Sequence, residues 1–269
     1  MGDIGMASES PYFSFLMCVH VLNDYVHQAI ESIFEQTLAD WELVIVANGK
    51  NAGQITEKLA SYYEDDRVKL HQSTVPQLCS SLNYGINFCR GVYIVRMDSD
   101  DICVGDRLAQ LKALTEEGYD VIGFNAVIID GEGKEAGRFH DRPSGVLNRR
   151  SLLRKNWIIH PASAIKRETL LDVRGYSGGF VSEDYDLWLR ISRHKKYKIY
   201  YSGDVAIKYR VHGEQAKGDP LAYAEVAGYM LRELMYKPGL EHMAAFLLHS
   251  LKAVFFAWIQ PRFSSREKR

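Results

Sequence analysis

The sequence VYIVRMDSDD, at residues 92–101, places three aspartates directly after a largely apolar segment. Such a segment is typical of a β-strand that is covered on both faces of a parallel sheet. Asp98, Asp100 and Asp101 would repel one another at the end of this strand unless a positive group neutralises them. A divalent cation with oxygen ligands, itself bridging a diphosphate, meets that requirement. A solvated turn, or the N-cap of the next helix, explains the same acids without a cation.

Strand and helix patterns alternate on the N-terminal side of this segment. The predicted elements are strands at 13–22, 41–47 and 67–71 and helices at 77–89 and after a cap at Asn23 or Asp24. This alternation indicates an α/β fold with a Rossmann-like, mostly parallel central sheet, flanked by helices and joined by right-handed crossovers. Ligands bind at the carboxyl ends of the strands in such sheets, so a site is expected in the loops after Leu22, Ala47 and Met97.

The pattern changes after residue 106. The predicted elements there are helices at 107–117 and from 183, strands at 119–130, 158–165 and around 198 and 206, and a helical tail from 221. A turn at 130–133 follows the long strand.

Composition excludes several classes of protein. The 269 residues carry a net charge of −1, so no overall basic field attracts nucleic acid, and we expect no nucleic-acid partner. The four cysteines are scattered without the spacing of a zinc site or a disulfide framework, which favours a reducing compartment. The first residues lack the basic and apolar regions of a signal peptide. We therefore expect a cytoplasmic protein.

A second motif, GGFVSEDYD, occupies residues 178–186. A flexible glycine pair followed by the adjacent acids Glu183 and Asp184 at a helix start suits a general base. Ser182 and the two acids also make an ordinary helix N-terminus, because carboxylates complement the helix dipole there. The motif alone leaves both interpretations open.

A third motif, YRVH, occupies residues 209–212 on a late strand. Arg210 and His212 are two positions apart, so they are expected to share a face of the sheet. His212 could bind a metal or a phosphate, although a lone histidine more often does neither.

Together the motifs resemble the GT-A-fold glycosyltransferases of family 2. The family's first-strand end matches Leu22-Asn23, its S-I-x-x-Q-T matches 32–37, its N-x-G-I matches 83–86, its D-x-D-D matches 98–101, and its later blocks match 160–161, 183–190 and 209–212. The resemblance extends from about residue 13 to residue 216, with the motifs in family order.

The resemblance implies an inverting glycosyltransferase of surface polysaccharide biosynthesis, which moves a sugar from a UDP-linked nucleotide-sugar to a saccharide or lipid-linked saccharide. It implies a divalent metal, Mn²⁺ or Mg²⁺. The residues implied to bind the metal are Asp98, Asp100 and His212, those implied to bind the donor are Leu22, Asn23, Asn48, Asn83, Asp98 and Arg210, and those implied in catalysis are Asp184, as the base, and Glu183.

One departure from the family concerns the nucleotide base. The family usually has Asp-Asp-Gly-Ser after the second strand, where this chain has Ala-Asn-Gly-Lys at 47–50. Asn48 can accept from uracil N3–H and donate to O4, because an amide carries both functions. The departure leaves a non-catalytic nucleotide-sugar binding module as one alternative. A nucleotidyltransferase is another, although no Gly-rich basic loop follows the first strand.

The sequence patterns and the extent of the resemblance together predict the domain organisation. We expect a flexible leader at 1–11, a catalytic domain at 12–216 with a nucleotide-binding half (12–105) and an acceptor half (106–216), and a helical extension at 217–269.

Apolar residues between Met243 and Trp258 fit one face of a helix in that extension. This face predicts a helix packed on the catalytic domain, a dimer contact, or an anchor on an anionic membrane surface. Polyprenyl-diphosphate-linked acceptors, which are common for bacterial members of the family, would make an anchor useful. In that case the protein would be peripheral at the inner face of the plasma membrane.

Overall fold

The structure is a computed structural model that describes residues 10–212 and 220–264. Its strands are β1 Phe13–Val19, β2 Trp41–Asn48, β3 Val68–Ser73, β4 Tyr93–Asp98, β5 Ile102–Cys103, β6 Val121–Ile129, β7 Glu135–Arg138, β8 Gly145–Val146, β9 Ser163–Lys166 and β10 Ile199–Arg210. Its helices are α1 Asp24–Phe34, α2 Ala52–Lys58, α3 Leu78–Ile86, α4 Arg107–Glu116, α5 Arg149–Arg154, α6 Arg167–Asp172, α7 Glu183–Ile191, α8 Pro220–Tyr236 and α9 Leu240–Ser264. Short 3₁₀ turns lie at Ala60–Glu64 and His160–Ala162.

The strands form one sheet in the order β3-β2-β1-β4-β9-β6-β10-β5, with β7 beside β6 and β8 beside β10. The pairs β3/β2, β2/β1 and β1/β4 are parallel, as the alternation of strands and helices predicts. β9 runs antiparallel between β4 and β6, and β6 pairs in parallel with β10. The carboxyl ends of β1, β2 and β4 therefore meet at one edge of the sheet.

Helices cover both faces of the sheet. Phe15 and Met17 belong to one apolar cluster, which includes side chains of α1, α2 and α4. Leu16, between them, belongs to the other, which includes side chains of α3, α6 and α7. Successive side chains of a strand point to opposite faces, so a continuous apolar run such as this one is buried on both. The predicted α/β fold is confirmed.

Two predicted strands differ from the observed ones by more than two residues at one end. The first ends at Val19 instead of Leu22, because the chain turns there into the loop before α1. The segment expected as a strand at 158–165 is a 3₁₀ turn, His160–Ala162, followed by β9. Pro161 explains this difference, since proline has no N–H to donate to a neighbouring central strand.

The late strands and the tail also differ from expectation. The segments expected as two strands around 198 and 206 form one long strand, β10, whose register shifts between Tyr201 and Ile207. The tail is two helices, because Pro238 and Gly239 separate α8 from α9. These helices pack as an antiparallel hairpin. The first nine residues of the expected leader, and the expected boundary after residue 216, lie outside the described residues.

The helix α9 packs with two of its histidines inward. His242 and His249 are each 6% exposed, whereas Leu251 and Trp258 are 70% and 69% exposed. The Nε2 atom of His249 lies 3.2 Å from the carbonyl oxygen of Leu153 on α5. The packed side of the helix therefore contains two histidines beside Ala245 and Phe246, whereas Leu251 and Trp258 face outward.

Candidate active site

A cleft with a volume of about 730 Å³ opens at the carboxyl ends of β1, β2 and β4. Its wall includes seven of the residues that the sequence singles out, which are Asn23, Asn48, Asp98, Asp100, Glu183, Asp184 and His212. The fold thus brings together residues as far apart in the chain as Asn23 and His212.

Three acids cluster at the end of β4. One carboxylate oxygen from each of Asp98, Asp100 and Asp101 lies within 4.8 Å of the others. Asp101 is fully buried, and its Oδ1 accepts a hydrogen bond of 2.8 Å from the backbone N–H of Arg210. Its Oδ2 is buried without a hydrogen-bond partner among the described residues. Burial, and then the charges of Asp98 and Asp100, raise the pKa of Asp101 well above its usual range.

This cluster fits a divalent cation. Carboxylate oxygens are ligands that Mg²⁺ and Mn²⁺ prefer, and a cation here would offset the repulsion that raises the pKa of Asp101. Nε2 of His212 lies 3.0 Å from Oδ2 of Asp100, so a nitrogen ligand is available beside the acids. Asp98, Asp100 and His212 are the side chains that would hold the ion.

Arg210 supports the acidic turn and is not part of the cleft wall. Its side chain is 1% exposed, and its Nε donates to the backbone oxygen of Asp100 at 2.8 Å. Another guanidinium nitrogen donates to Oε1 of Gln28 at 2.7 Å, and the guanidinium lies over the ring of Tyr25 at 4.3 Å. The hydrogen bond from the backbone N–H of Arg210 lowers the pKa of Asp101 and so opposes part of the effect of burial. A contact between Arg210 and a diphosphate stays a prediction.

The two acids that open α7 also face the cleft. The Nδ2 atom of Asn156 donates to Oδ2 of Asp184 at 2.9 Å. Burial raises the pKa of Asp184 to about 6. Burial, and then the charge of Asp184, raise the pKa of Glu183 to about 7. Carboxyls with such pKa values exchange protons near neutral pH, which suits general acid–base catalysis.

A helix of the C-terminal extension holds the loop before these acids. The carboxylate of Glu225, on α8, accepts hydrogen bonds from the backbone N–H groups of Phe180, Val181 and Ser182 at 2.6, 3.2 and 3.1 Å. The Ser182 side chain makes no capping hydrogen bond, and its hydroxyl donates instead to the backbone oxygen of Ala222. Glu225 therefore positions the start of α7, and no local pattern in the sequence indicates it.

A buried arginine connects the two groups of acids. Arg96 is 1% exposed and forms an ion pair with Asp98. Its Nε donates to Nε2 of His160 at 3.3 Å, and Nδ1 of His160 lies 3.8 Å from Glu183. Nε2 of His160 also lies 2.8 Å from the hydroxyl of Tyr176. Sequence reasoning missed Arg96, although an arginine within an apolar strand is itself an indication of a buried charge pair.

Asn48, at the end of β2, lines the cleft and is 4% exposed. Its Oδ1 is 2.8 Å from Nδ1 of His20, and its Nδ2 donates to the hydroxyl of Ser81 at 2.9 Å. Gly49 has φ +82, and a Cβ there would lie 2.8 Å from the ring of His20. His20 is thus packed beside Asn48 and lines the cleft, a role that the sequence motifs did not indicate.

The remaining predicted donor-binding residues, Leu22, Asn23 and Asn83, all make contacts within the fold. Asn23 lines the cleft and also caps α1, since its side chain accepts from the N–H of Tyr25 at 3.1 Å. Leu22 packs against the apolar core. Asn83 donates to the backbone oxygen of Tyr176 at 2.7 Å and accepts from its N–H at 2.9 Å. Neither Leu22 nor Asn83 is part of the cleft wall.

The sequence profile described as Glycosyl transferase family 2 matches residues 14–175, which is more than half of the chain. The chain belongs to glycosyl transferase family 2. It is 35% identical over 244 residues to the O-antigen biosynthesis glycosyltransferase WbnJ of Escherichia coli, and this alignment covers 90% of this chain and 96% of that protein. It is 27% identical to the UDP-Gal:alpha-D-GlcNAc-diphosphoundecaprenol beta-1,3-galactosyltransferase of Escherichia coli, over 69% of each protein. This family member is therefore a glycosyltransferase.

Solved structures share its fold. S. aureus TarS 1-349 superposes with a TM-score of 0.66 at 16% identity, covering 89% of this chain and 72% of that one. The mannosyltransferase PcManGT of Pyrobaculum calidifontis, solved with GDP-Man and Mn²⁺, superposes with a TM-score of 0.65 at 13% identity, covering 94% and 72%. The fold of this family 2 member is GT-A.

Proposed function

We propose that the enzyme transfers a sugar, with inversion, from a UDP-linked nucleotide-sugar to a saccharide or lipid-linked saccharide during surface polysaccharide synthesis. The observation that carries this proposal is the single cleft that Asp100, His212 and Asp184 all line. The first two suit a metal-bridged diphosphate, and the third suits an acceptor hydroxyl. The names of the relatives, an O-antigen glycosyltransferase and a galactosyltransferase with a lipid-linked acceptor, support the polysaccharide role.

In this mechanism Asp184 takes the proton of the acceptor hydroxyl while the hydroxyl oxygen attacks the anomeric carbon. The bond from that carbon to the donor phosphate oxygen breaks in the same step, and its electron pair leaves with the diphosphate. Attack from the face opposite the leaving group inverts the anomeric centre. A divalent ion at Asp98, Asp100 and His212 would stabilise the charge of the leaving group. Asn156 orients the base through its hydrogen bond to Oδ2.

In this proposal the nucleotide base of the donor binds to the half of the domain at residues 12–105. Each polar atom of Asn48 has one protein partner, so its oxygen keeps one lone pair and its nitrogen one hydrogen for a uracil edge. The UDP donor in the name of one relative supports uracil. The fold neighbours include a TarS structure with UDP-GlcNAc and the PcManGT structure with GDP-Man. The identity of the nucleotide base therefore has to be tested.

We further propose that the extension at 217–269 lies on an anionic membrane surface at the cytoplasmic side. The outward face of α9, defined by Met243, Leu247, Leu251, Phe255 and Trp258, is between 43% and 70% exposed. Judged by length and composition alone, the helical segment Leu240–Trp258 is long and apolar enough to cross a membrane. An apolar face that packing leaves uncovered, with an aromatic end, suits a lipid interface. We assign binding of the acceptor to the half at residues 106–216. An enzyme on that surface could take a lipid-linked acceptor directly from the membrane.

The catalytic proposal is tested by nucleotide release from UDP-sugars and GDP-mannose with Mn²⁺. The acceptors are a GlcNAc-diphosphate-undecyl analogue and methyl glycosides. We expect release that requires an acceptor, is lost in EDTA and in Asp184→Asn, and yields a product of inverted configuration by NMR. Donor binding without acceptor-dependent release would instead indicate a binding module, and pyrophosphate release would indicate a nucleotidyltransferase. The exposed variant Lys58→Gln serves as the control.

The membrane proposal is tested by flotation with vesicles that contain anionic lipid. Leu251→Glu/Phe255→Glu should abolish flotation, because two charges on an interfacial helix oppose burial among lipid tails. Tyr63→Glu/Val146→Glu is the matched control, since these residues are 57% and 59% exposed outside α9. If the tail variant instead converts a dimer to a monomer by light scattering while flotation is unchanged, a second copy of the chain covers this face.

A further inference from the structure

Two cations surround one tryptophan next to the cleft. The guanidinium carbon of Arg142 lies 4.5 Å from the ring centroid of Trp157, and the ammonium nitrogen of Lys155 lies 4.2 Å from it. The Nε of Arg142 is buried and has no hydrogen-bond partner within residues 10–212 and 220–264. Among those described residues neither Arg142 nor Lys155 forms an ion pair, not even with Asp141, which directly precedes Arg142 and is exposed. The pair is therefore not neutralised by the described protein.

This pair lies on a segment that is linked to the proposed catalytic base. Trp157 directly follows Asn156, whose amide donates to Asp184 at 2.9 Å. The ring of Trp157 is 5.5 Å from that of His140, and both His140 and Asn156 line the cleft. Burial, and then the charges of Lys155 and Arg142, lower the pKa of His140 to about 4.

Aromatic side chains form the same wall. Phe139 is 37% exposed, and its ring lies 5.2 Å from Tyr209 and 5.1 Å from His140 in edge-to-face contacts. All three residues line the cleft. A wall of aromatic rings with a few placed polar groups is the usual lining of a small-molecule site. This wall can carry the apolar face of a sugar whose hydroxyl reaches Asp184.

We propose that Arg142 and Lys155 bind a phosphoryl group of the acceptor. The inference rests on the proposed function and names its acceptor class, a sugar esterified to phosphate or diphosphate. The planar fork of arginine and the point charge of lysine are the two side chains that proteins use for phosphate. Stacking on Trp157 orders both side chains without neutralising them. A bound anion relieves the repulsion between two like charges that share one ring.

Binding of undecyl diphosphate and of inorganic pyrophosphate to the full chain in EDTA tests this site, since EDTA prevents a metal-bridged diphosphate in the donor site. Wild type should bind, and Arg142→Gln/Lys155→Gln should lose affinity by about tenfold or more, as expected for charge-assisted contacts. Lys58→Gln/Lys195→Gln removes two exposed charges elsewhere and should bind like wild type. The neutral undecyl maltoside should not distinguish the three proteins, and their unfolding temperatures should agree.

The two probes also distinguish the source of the phosphate. Tighter binding of undecyl diphosphate than of pyrophosphate indicates a lipid-linked acceptor, and equal binding indicates a soluble phosphorylated saccharide. Equal affinity of wild type and Arg142→Gln/Lys155→Gln for undecyl diphosphate overturns the site, as does the absence of diphosphate binding by wild type. Nucleotide release by wild type reports separately on the proposed glycosyl transfer, so failure of either claim is recognised independently.

Discussion

Replacing Asn156 by leucine should raise the pH at which the enzyme becomes active. Asp184 must lose its proton to act as a base, and its pKa is raised to about 6 by burial. The 2.9 Å hydrogen bond from Asn156 favours the charged carboxylate and opposes that rise. A hydrogen bond to a charged group contributes about 1.5–3 kcal/mol, so its loss should raise the pKa by about 1–2 pH units.

The assay is the pH dependence of kcat/KM for nucleotide release, which reports ionisations of the free enzyme. The acidic limb should have its midpoint near 6 in wild type and about 1–2 pH units higher in Asn156→Leu. Asn87→Leu is the control, because Asn87 is exposed and does not line the cleft. Glu183 also faces the site, with a pKa of about 7, so Glu183→Gln must be measured alongside. A limb that stays in place in Asn156→Leu refutes Asp184 as the titrating base.

The same raised pKa predicts that Asp184→Asn stabilises the fold while it lowers activity. The folded value of about 6 exceeds the ordinary 3.8, so between these values the folded protein binds more protons than the unfolded chain. The contribution of Asp184 to stability therefore decreases as pH rises through that window. Removing the charge should stabilise the protein by at most about 3 kcal/mol at neutral pH, and kcat should fall by roughly two to four orders of magnitude. A lower unfolding temperature for Asp184→Asn would contradict the raised pKa.

Three further substitutions test other parts of the site. Asp100→Ala should abolish turnover and Mn²⁺-dependent donor binding in a folded protein, and normal turnover by this variant in EDTA would show that the metal assignment is wrong. Asn48→Leu should weaken UDP binding by about 1–3 kcal/mol in calorimetric titration, because polar groups are left unpaired; an unchanged affinity would mean that Asn48 does not read the base. Glu225→Gln weakens the hydrogen bonds from the loop before α7, so kcat should fall by about tenfold with donor KM and unfolding temperature little changed. The exposed control Glu241→Gln should be silent, and equal kcat values in these two variants would exclude positioning by Glu225.

The strands of the half at residues 12–105, and the position of a cleft at their ends, could be predicted from local sequence. Apolar runs determine which segments become buried strands, and the intervening helical patterns require parallel pairing, so the ends of β1, β2 and β4 had to meet. Asn23, Asn48 and Asp98 stand at or just after those ends, and their convergence in one cleft follows from topology alone. Asp184 and His212 were predicted by the family resemblance, because their own local patterns also fitted an ordinary helix start and a lone histidine.

Only the tertiary structure decided the supporting contacts and the orientation of the tail. Glu225 meets Phe180 across 45 positions, and Arg96 meets His160 across 64. The pattern of α9 identified an apolar face but not which side packs inward, which depends on contacts such as that of His249 with α5. A periodic pattern records how the side chains of one element are arranged relative to each other. The free energy of burying them depends on partners that distant segments supply, so those choices appear only when the chain is folded.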